Sequence, residues 1–188
     1  MVKNIDDIWE MDLADLSSPS KYNDKYNYLL KVIEILSRYA WSVPLKDKTG
    51  TSIVAVLKSL FQNKKPVMIK SDKGKEFVNS TVQQYLKRLG VSFHMTHNSN
   101  IKGAIVDRVK RILKTKCVKY FIKNNTYSFL GVTNKLLTGY NNSVLSAIDM
   151  SLSKCSHYNI CTVWGNMNNL GVKISNGLVK FKVENLWV

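Results

Sequence analysis

The sequence predicts an α/β protein built on one mixed sheet flanked by helices. Three observations carry this. Strand-like runs crowd the first 45 residues, helix-period patterns then alternate with short apolar runs, and the longest helical pattern, over 104–123, comes late and is strongly basic. Strands in succession followed by strand–helix alternation are the order expected when helices cover the faces of a single sheet. A chain of 188 residues suffices for one domain with a proper core and, at most, a short appendage.

The elements follow in order. Residues 1–7 are polar and read as a loose arm. Ile8 to Leu16 (I-W-E-M-D-L-A-D-L) is a first strand, and because side chains alternate along it, Asp12 and Asp15 point to opposite faces. The S-S-P-S-K-Y-N-D-K that follows is loop chemistry. Tyr26 to Ile35 and Arg38 to Leu45, rich in aromatic and aliphatic residues, are close enough to form a hairpin. From Thr49 to Asn63 the spacing turns helical: Ile53, Val56, Leu57 and Leu60 make one stripe, with Thr49 or Thr51 as N-cap. Pro66 closes that helix, and Val67 to Lys70 is a buried strand. Asn79 to Leu89 is a second amphipathic helix, with Val82, Tyr85, Leu86 and Leu89 inward and Gly90 as its stop. Val91 to Met95 alternates like a strand, and Thr96 to Gly103 is polar without period.

Ala104 to Lys123 buries an approximate stripe of Ile105, Val109, Ile112, Cys117 and Phe121, and its other faces carry Arg108, Lys110, Arg111, Lys114, Lys116, Lys119 and Lys123. A helix from about Ser128 to Tyr140 packs Phe129, Val132, Leu136 and Leu137. A short helix near Leu145 to Met150 and a Ser/Asn-rich connection follow, and Gly171 to Val188 alternates like strands. The expected organisation is an arm (1–7), a core (8–150) and a C-terminal extension (151–188) with a short strand-like tail.

Charge is the strongest global signal. Lys and Arg number 28 against 13 acidic residues, a formal net charge of +15, which calls for a polyanionic partner. No amphipathic membrane-binding segment is evident, so nucleic acid comes ahead of anionic lipid. No apolar stretch approaches a membrane span, and the polar, acidic N-terminus is no signal peptide. Three cysteines, an odd number, suit reduced thiols and an intracellular setting. Cys155, His157 and Cys161 lack a second knuckle and make a poor zinc site.

The chain is organised around V-M-I-K-S-D-K-G-K-E-F (67–77), where an apolar run stops at Asp72 and Gly74 allows a tight turn into a helical pattern. A carboxylate at the C-terminal end of a buried strand sits on rigid backbone and faces a crevice, a place to hold a metal or a reacting group. Taken alone, S-D-x-G is more often only a turn start. Between Glu76 and Asp149, however, the sole acidic residue is Asp107, on the basic helix. If the first and fourth strands are neighbours, a helix crossing their ends brings Asp12, Asp72 and Asp107 together. Carboxylates so gathered can hold two hard divalent cations that orient an attacking oxygen and stabilise the leaving one at a phosphodiester. Arg111 and Lys114, at i+4 and i+7 from Asp107, share its face and suit an entering phosphate backbone. The plainer alternative is a solvated basic face with one stray acid.

These residues resemble a known family, the retroviral-type integrases with a three-acid core, and most resemble the branch carried by Polinton/Maverick DNA elements and some large DNA viruses. The match rests on W-E-M-D-L-A-D-L (9–16), the stretch 25–50, S-D-K-G-K-E-F-V-N (71–79), I-V-D-R-V-K-R-I-L-K (105–114) and Y-N-N-S (140–143). It covers roughly residues 8 to 164. The resemblance implies an RNase H-like fold, a five-stranded sheet with its first three strands antiparallel and helices on both sides. It implies two Mg²⁺ or Mn²⁺ ions, with Asp12 as first acid, Asp72 as second, and Asp107 where the family has glutamate. It sets Lys102, Arg108, Arg111 and Lys114 against DNA. It further implies a homo-oligomer, no membrane, no small-molecule substrate, and work in a host nucleus or at a viral replication site.

Two features depart from the family. Asp at 107 keeps the charge but shortens the reach by roughly 1.2–1.5 Å, where metal sites hold ligand distances to within about 0.2 Å. The tail G-V-K-I-S-N-G-L-V-K-F-K-V (171–183) resembles only the start of the small β-barrel that follows such cores, and no His-His-Cys-Cys module stands in front. The expected function is therefore metal-dependent DNA strand transfer or nicking. The alternative is an integrase-derived module that binds DNA or supports assembly without the chemistry. A ribonuclease H proper fits the long basic helix less well.

Overall fold

The computed structural model describes residues 2–18, 22–72, 74–95 and 104–167; in the last span, side chains are described from 108 onward except that of residue 110. Five strands, β1 (Ile8–Asp15), β2 (Tyr28–Glu34), β3 (Ala40–Leu45), β4 (Met68–Ser71) and β5 (Ser92–Met95), form one sheet in the order β3-β2-β1-β4-β5. β1, β2 and β3 are antiparallel neighbours, while β4 runs parallel to β1 and β5 parallel to β4. This is the expected mixed sheet. The helices are α1 (Gly50–Leu60), α2 (Lys75–Val78), α3 (Ser80–Arg88), α4 (Ala104–Asn124), α5 (Leu130–Asn141) and α6 (Ile160–Met167).

Alternation along the strands builds two cores. Trp9 and Met11 of β1, with Leu30 and Val32 of β2 and Ile69 of β4, face Ile53 and Leu57 of α1, Phe77 of α2, and Val82 and Leu86 of α3. Trp9 is fully buried; its ring lies 4.5 Å from Trp41 and 5.8 Å from Phe61, and its Nε1 donates to Asp6 Oδ1 at 2.9 Å. The opposite face offers Ile33 and Ala40 to Val109 and Leu113 of α4, Tyr140 of α5, and Ile148, Leu152, Cys155 and Val163 beyond. Caps agree with the sequence: Thr49 Oγ1 accepts from the Ser52 N–H and Asn79 Oδ1 from the Val82 N–H. Gly90 has φ +68, the left-handed conformation a helix stop needs.

Three expectations are corrected. Residues 2–7 are not loose, because Ile5 is buried in the second core and the Asp7 carboxylate accepts the N–H groups of Lys3 and Asn4. No helix occupies 145–150; a small hairpin of β6 (Val144–Leu145) and β7 (Met150–Ser151) forms there, its turn closed by Ile148 and Asp149 N–H groups on the Leu145 carbonyl and by Asp149 at φ 52. The Ser/Asn-rich connection contains α6, which tertiary packing of Val163 into the second core sustains. Gly74 stands, as expected, in the turn that leads into α2, its N–H on Asp72 Oδ1 and its φ an ordinary −57. The strand-like tail and the 96–103 loop lie outside the described residues.

Two buried asparagines clamp the α4–α5 pair to the sheet. Asn23 donates to the Tyr127 carbonyl at 2.9 Å and accepts from the Phe129 N–H at 2.6 Å. Asn141 accepts from the Ala40 N–H at 3.0 Å and donates to the Ala40 carbonyl at 2.8 Å, so its amide acts as one more residue of strand along the edge of β3. Tyr140 Oη donates to the Arg38 carbonyl at 3.1 Å, and burial pushes its phenol up to about 12, keeping the proton it donates. Y-N-N-S is thus a docking motif. Asn141→Leu leaves both Ala40 backbone groups buried and unpaired and should cost about 2–4 kcal/mol, read as a lowered urea midpoint at unchanged m-value.

Candidate active site

β1 lies in the middle of the sheet, and the side chains that alternate with Trp9 and Met11 face the side covered by α4. Asp12 is one of them. The β1–β4 register ends on the pair Met11 and Ser71, so Asp12 is the next residue along β1 and Asp72 the first residue after β4. Neighbouring strands are about 4.8 Å apart, a separation at which two carboxylates can share a cation. Ser71 is fully buried, while Asp72, one residue past the strand, is exposed. Asp72 Oδ1 accepts from the Gly74 N–H at 3.2 Å and the Ser71 hydroxyl at 3.4 Å, so the turn-starting role is present as well.

Asp15 is set apart from these two. It is exposed, its carboxylate accepts from the Ser17 N–H and hydroxyl, and those bonds, with Lys48 nearby, hold it below the usual carboxylate range. Its separation from Asp12 follows from strand alternation, as expected.

Lys31 is the residue that sequence reasoning missed. β2 sets it directly across from Asp12, with Nζ 4.0 Å from Asp12 Oδ2 and both side chains mostly covered. Its signal was a single charge inside the apolar run L-L-K-V-I. The pairing itself needed the hairpin register. Lys31 is also near enough to Cys117 of α4 to oppose the upward push of burial on that thiol, so α4 crosses the face that carries Asp12.

Asp107 lies in the first turn of α4, ten residues or about 15 Å of helix before Cys117. Its side chain and the whole of Lys102 lie outside the described residues. Arg108, Arg111 and Lys114 are exposed. Arg108 lies within electrostatic reach of Arg38 and Tyr140 at the β2–β3 turn. Among the described residues no group of three or more His, Cys, Asp or Glu side chains gathers as a metal site. Asp12 on β1 and Asp72 just past the end of β4 follow the last paired residues of two neighbouring strands, and carboxylate oxygens are donors of the kind that suit Mg²⁺ or Mn²⁺.

Residues 4–100, more than half of the chain, match the family model described as "Integrase core domain". The chain is 37% identical over 131 residues to an uncharacterised transposon-derived protein of Caenorhabditis elegans, F54H12.3, covering 69% of this chain and 46% of that one. It is 28% identical over 116 residues to the Pol-related polyprotein of the mouse intracisternal A-particle, covering 60% of this chain and 13% of that one. It thus spans less than half the length of these relatives. Among solved structures, the magnesium-bound HTLV-2 integrase catalytic core (trimeric form) matches with TM-score 0.62 at 20% identity, over 79% of this chain and 95% of that one. The BIV integrase catalytic core matches with TM-score 0.65 at 17% identity, over 79% and 92%. At such identities the likeness shows the fold, RNase H-like.

If Asp12 and Asp72 share a cation, Mn²⁺ at a hundredfold excess over its Kd should stabilise the fold by about 2.7 kcal/mol. That corresponds to a Tm shift on the order of 5–10 °C. Asp72→Asn preserves the turn, since an amide oxygen also accepts from the Gly74 N–H, yet should abolish most of the shift. Equal shifts in both proteins would show that the two acids hold no metal.

Proposed function

Because the chain belongs to the integrase core domain family, we propose that it acts in DNA integration, binding DNA and catalysing metal-dependent strand transfer or nicking. The observation that supports the reading is the parallel β1–β4 pairing, which ends on Met11 and Ser71, the residues immediately before Asp12 and Asp72. In this reading Asp12, Asp72 and Asp107 hold two Mg²⁺ or Mn²⁺ ions. When bound, such ions orient the attacking oxygen and stabilise the leaving one. Lys31, 4.0 Å from Asp12, offsets part of that carboxylate's charge. Arg111 and Lys114, on the face of Asp107, contact phosphates, as do Lys102 and Arg108. The transposon-derived relative favours a mobile-element origin, and the order of the matching motifs favours the Polinton/Maverick and large-DNA-virus branch. A homo-oligomer, working where host or viral DNA is found, completes the proposal.

A second reading, a DNA-binding or assembly module without chemistry, is favoured by two observations: aspartate in place of the family's glutamate at 107, and an ion pair already formed by Asp12 and Lys31.

The Asp107 series separates the two. Asp107→Glu restores the reach and is the better helix former by a few tenths of a kcal/mol, so the fold should be retained. Mn²⁺-dependent nicking or strand transfer should rise in Asp107→Glu and vanish in Asp107→Asn. Inactivity of wild type and Asp107→Glu alike, with DNA binding intact, makes the module reading the correct one.

Phosphate contact is tested through salt. Arg111→Ala and Lys114→Ala should each weaken binding to all sequences alike and reduce the slope of log K against log salt by about one. A slope unchanged in the double variant removes these residues from the interface.

A further inference from the structure

Three connections meet at the end of the sheet where β1 finishes. Asn27 links the β1–β2 connection to β3, its N–H bonding the Leu45 carbonyl at 3.0 Å and its amide the Lys46 carbonyl at 2.8 Å. Asn23, buried, links the same connection to the one between α4 and α5 through Tyr127 and Phe129. On this end Tyr22 and Tyr127 stack, ring centroids 5.5 Å apart and planes 28° apart, while remaining 51% and 60% exposed. At the same end of the sheet Lys46 Nζ stands 5.3 Å from the Tyr26 ring, and Lys48 Nζ 5.6 Å from the Tyr28 ring, Tyr28 itself packing against the core under α1.

Two exposed, stacked tyrosines held by a buried asparagine present ring faces to solvent, a platform of the kind on which unpaired bases stack. We propose that this rim binds an unpaired segment of a DNA strand, its bases stacking on the Tyr22–Tyr127 pair and its phosphates meeting Lys46 and Lys48. The inference rests on the reading of DNA as partner and adds a site for one form of it. The choice of ligand follows from the surface. In a duplex the bases are stacked on one another and offer no face to a ring, whereas unpaired bases do. An apolar protein partner would be poorly served by an end of the sheet that carries Lys46 and Lys48, and the chain's net charge of +15 suits a polyanion. The rim also carries carboxylates. Asp15 and Asp47 accept hydrogen bonds from Ser17 and from Thr49 and Ser52, and Asp24 is exposed. The rim is near the candidate active site, since Asp12 lies three residues before the end of β1, about 10 Å away along the strand. A strand opened at the reacting phosphodiester could rest its loose bases there.

The test compares a blunt duplex with the same duplex bearing a short single-stranded extension, by fluorescence anisotropy in EDTA, so that metal binding plays no part. The full chain should prefer the extended DNA. Tyr22→Ala/Tyr127→Ala should weaken binding of extended DNA at least about tenfold and change blunt-duplex binding by less than about twofold, while Tyr22→Phe/Tyr127→Phe should retain the preference. Should the alanine pair unfold, 2-aminopurine in the extension gives a readout on the unaltered protein: its emission is quenched where it stacks on tyrosine. Equal affinity for the two DNAs, or no quenching, overturns the rim site alone. Failure to bind either DNA overturns both this inference and the DNA-integration reading.

Discussion

β1 and β4 run parallel in one register at the middle of the sheet, and that pairing ends on Met11 and Ser71, just before Asp12 and Asp72. Parallel neighbours need a crossover, supplied here by β2, β3 and α1 between them. Side chains have period two along a strand, so a slip of one residue would carry Asp12 to the opposite face and expose Trp9 and Met11. Burying those two side chains is worth several kcal/mol, and no slipped register could recover it. The hydrophobic core thereby sets the face of the sheet on which Asp12 lies.

The helical layer over the acidic face is held differently. α4 contributes Val109 and Leu113 to the second core, but much of its length is basic and exposed. Its partner α5 is fastened near its two ends by Asn23 and Asn141, each satisfying backbone donors and acceptors that would otherwise be buried unpaired. Such bonds fix position more than they add net stability. They suit a helix that must lie at a set height over the sheet while leaving its cationic residues toward solvent.

Lys31 gives the acidic end an electrostatic balance. At 4.0 Å its pairing with Asp12 is at the limit of an ion pair, a contact worth on the order of 1 kcal/mol or less when water has access. It offsets part of the charge that Asp12 carries on a mostly covered face of the sheet. A weak internal counter-ion is compatible with replacement by a divalent cation, and it is equally what a module that had abandoned catalysis would keep.

The strands and helices of the first 95 residues were legible in the sequence because alternation, helical stripes and caps are local signals: Trp9, Met11 and Asp12 sort themselves, Thr49 and Asn79 announce helix starts, and Gly90 announces a stop. Asp72 and Asp107 stood out by their surroundings, one ending an apolar run and the other alone in a basic stretch. What depended on contacts distant in sequence was not legible. The packing of Ile5, the β6–β7 hairpin and α6 are sustained by the second core rather than by their own patterns. The Lys31–Asp12 pair and the Tyr22–Tyr127 stack exist only through strand register and through loops that meet from distant parts of the chain. Sequence by itself determined which faces are apolar and which residues carry charge, since those are properties of single positions and their period. Only the tertiary structure decided which of those charges and rings face one another, because that is set by how the elements align, and alignment is decided by burial of the core.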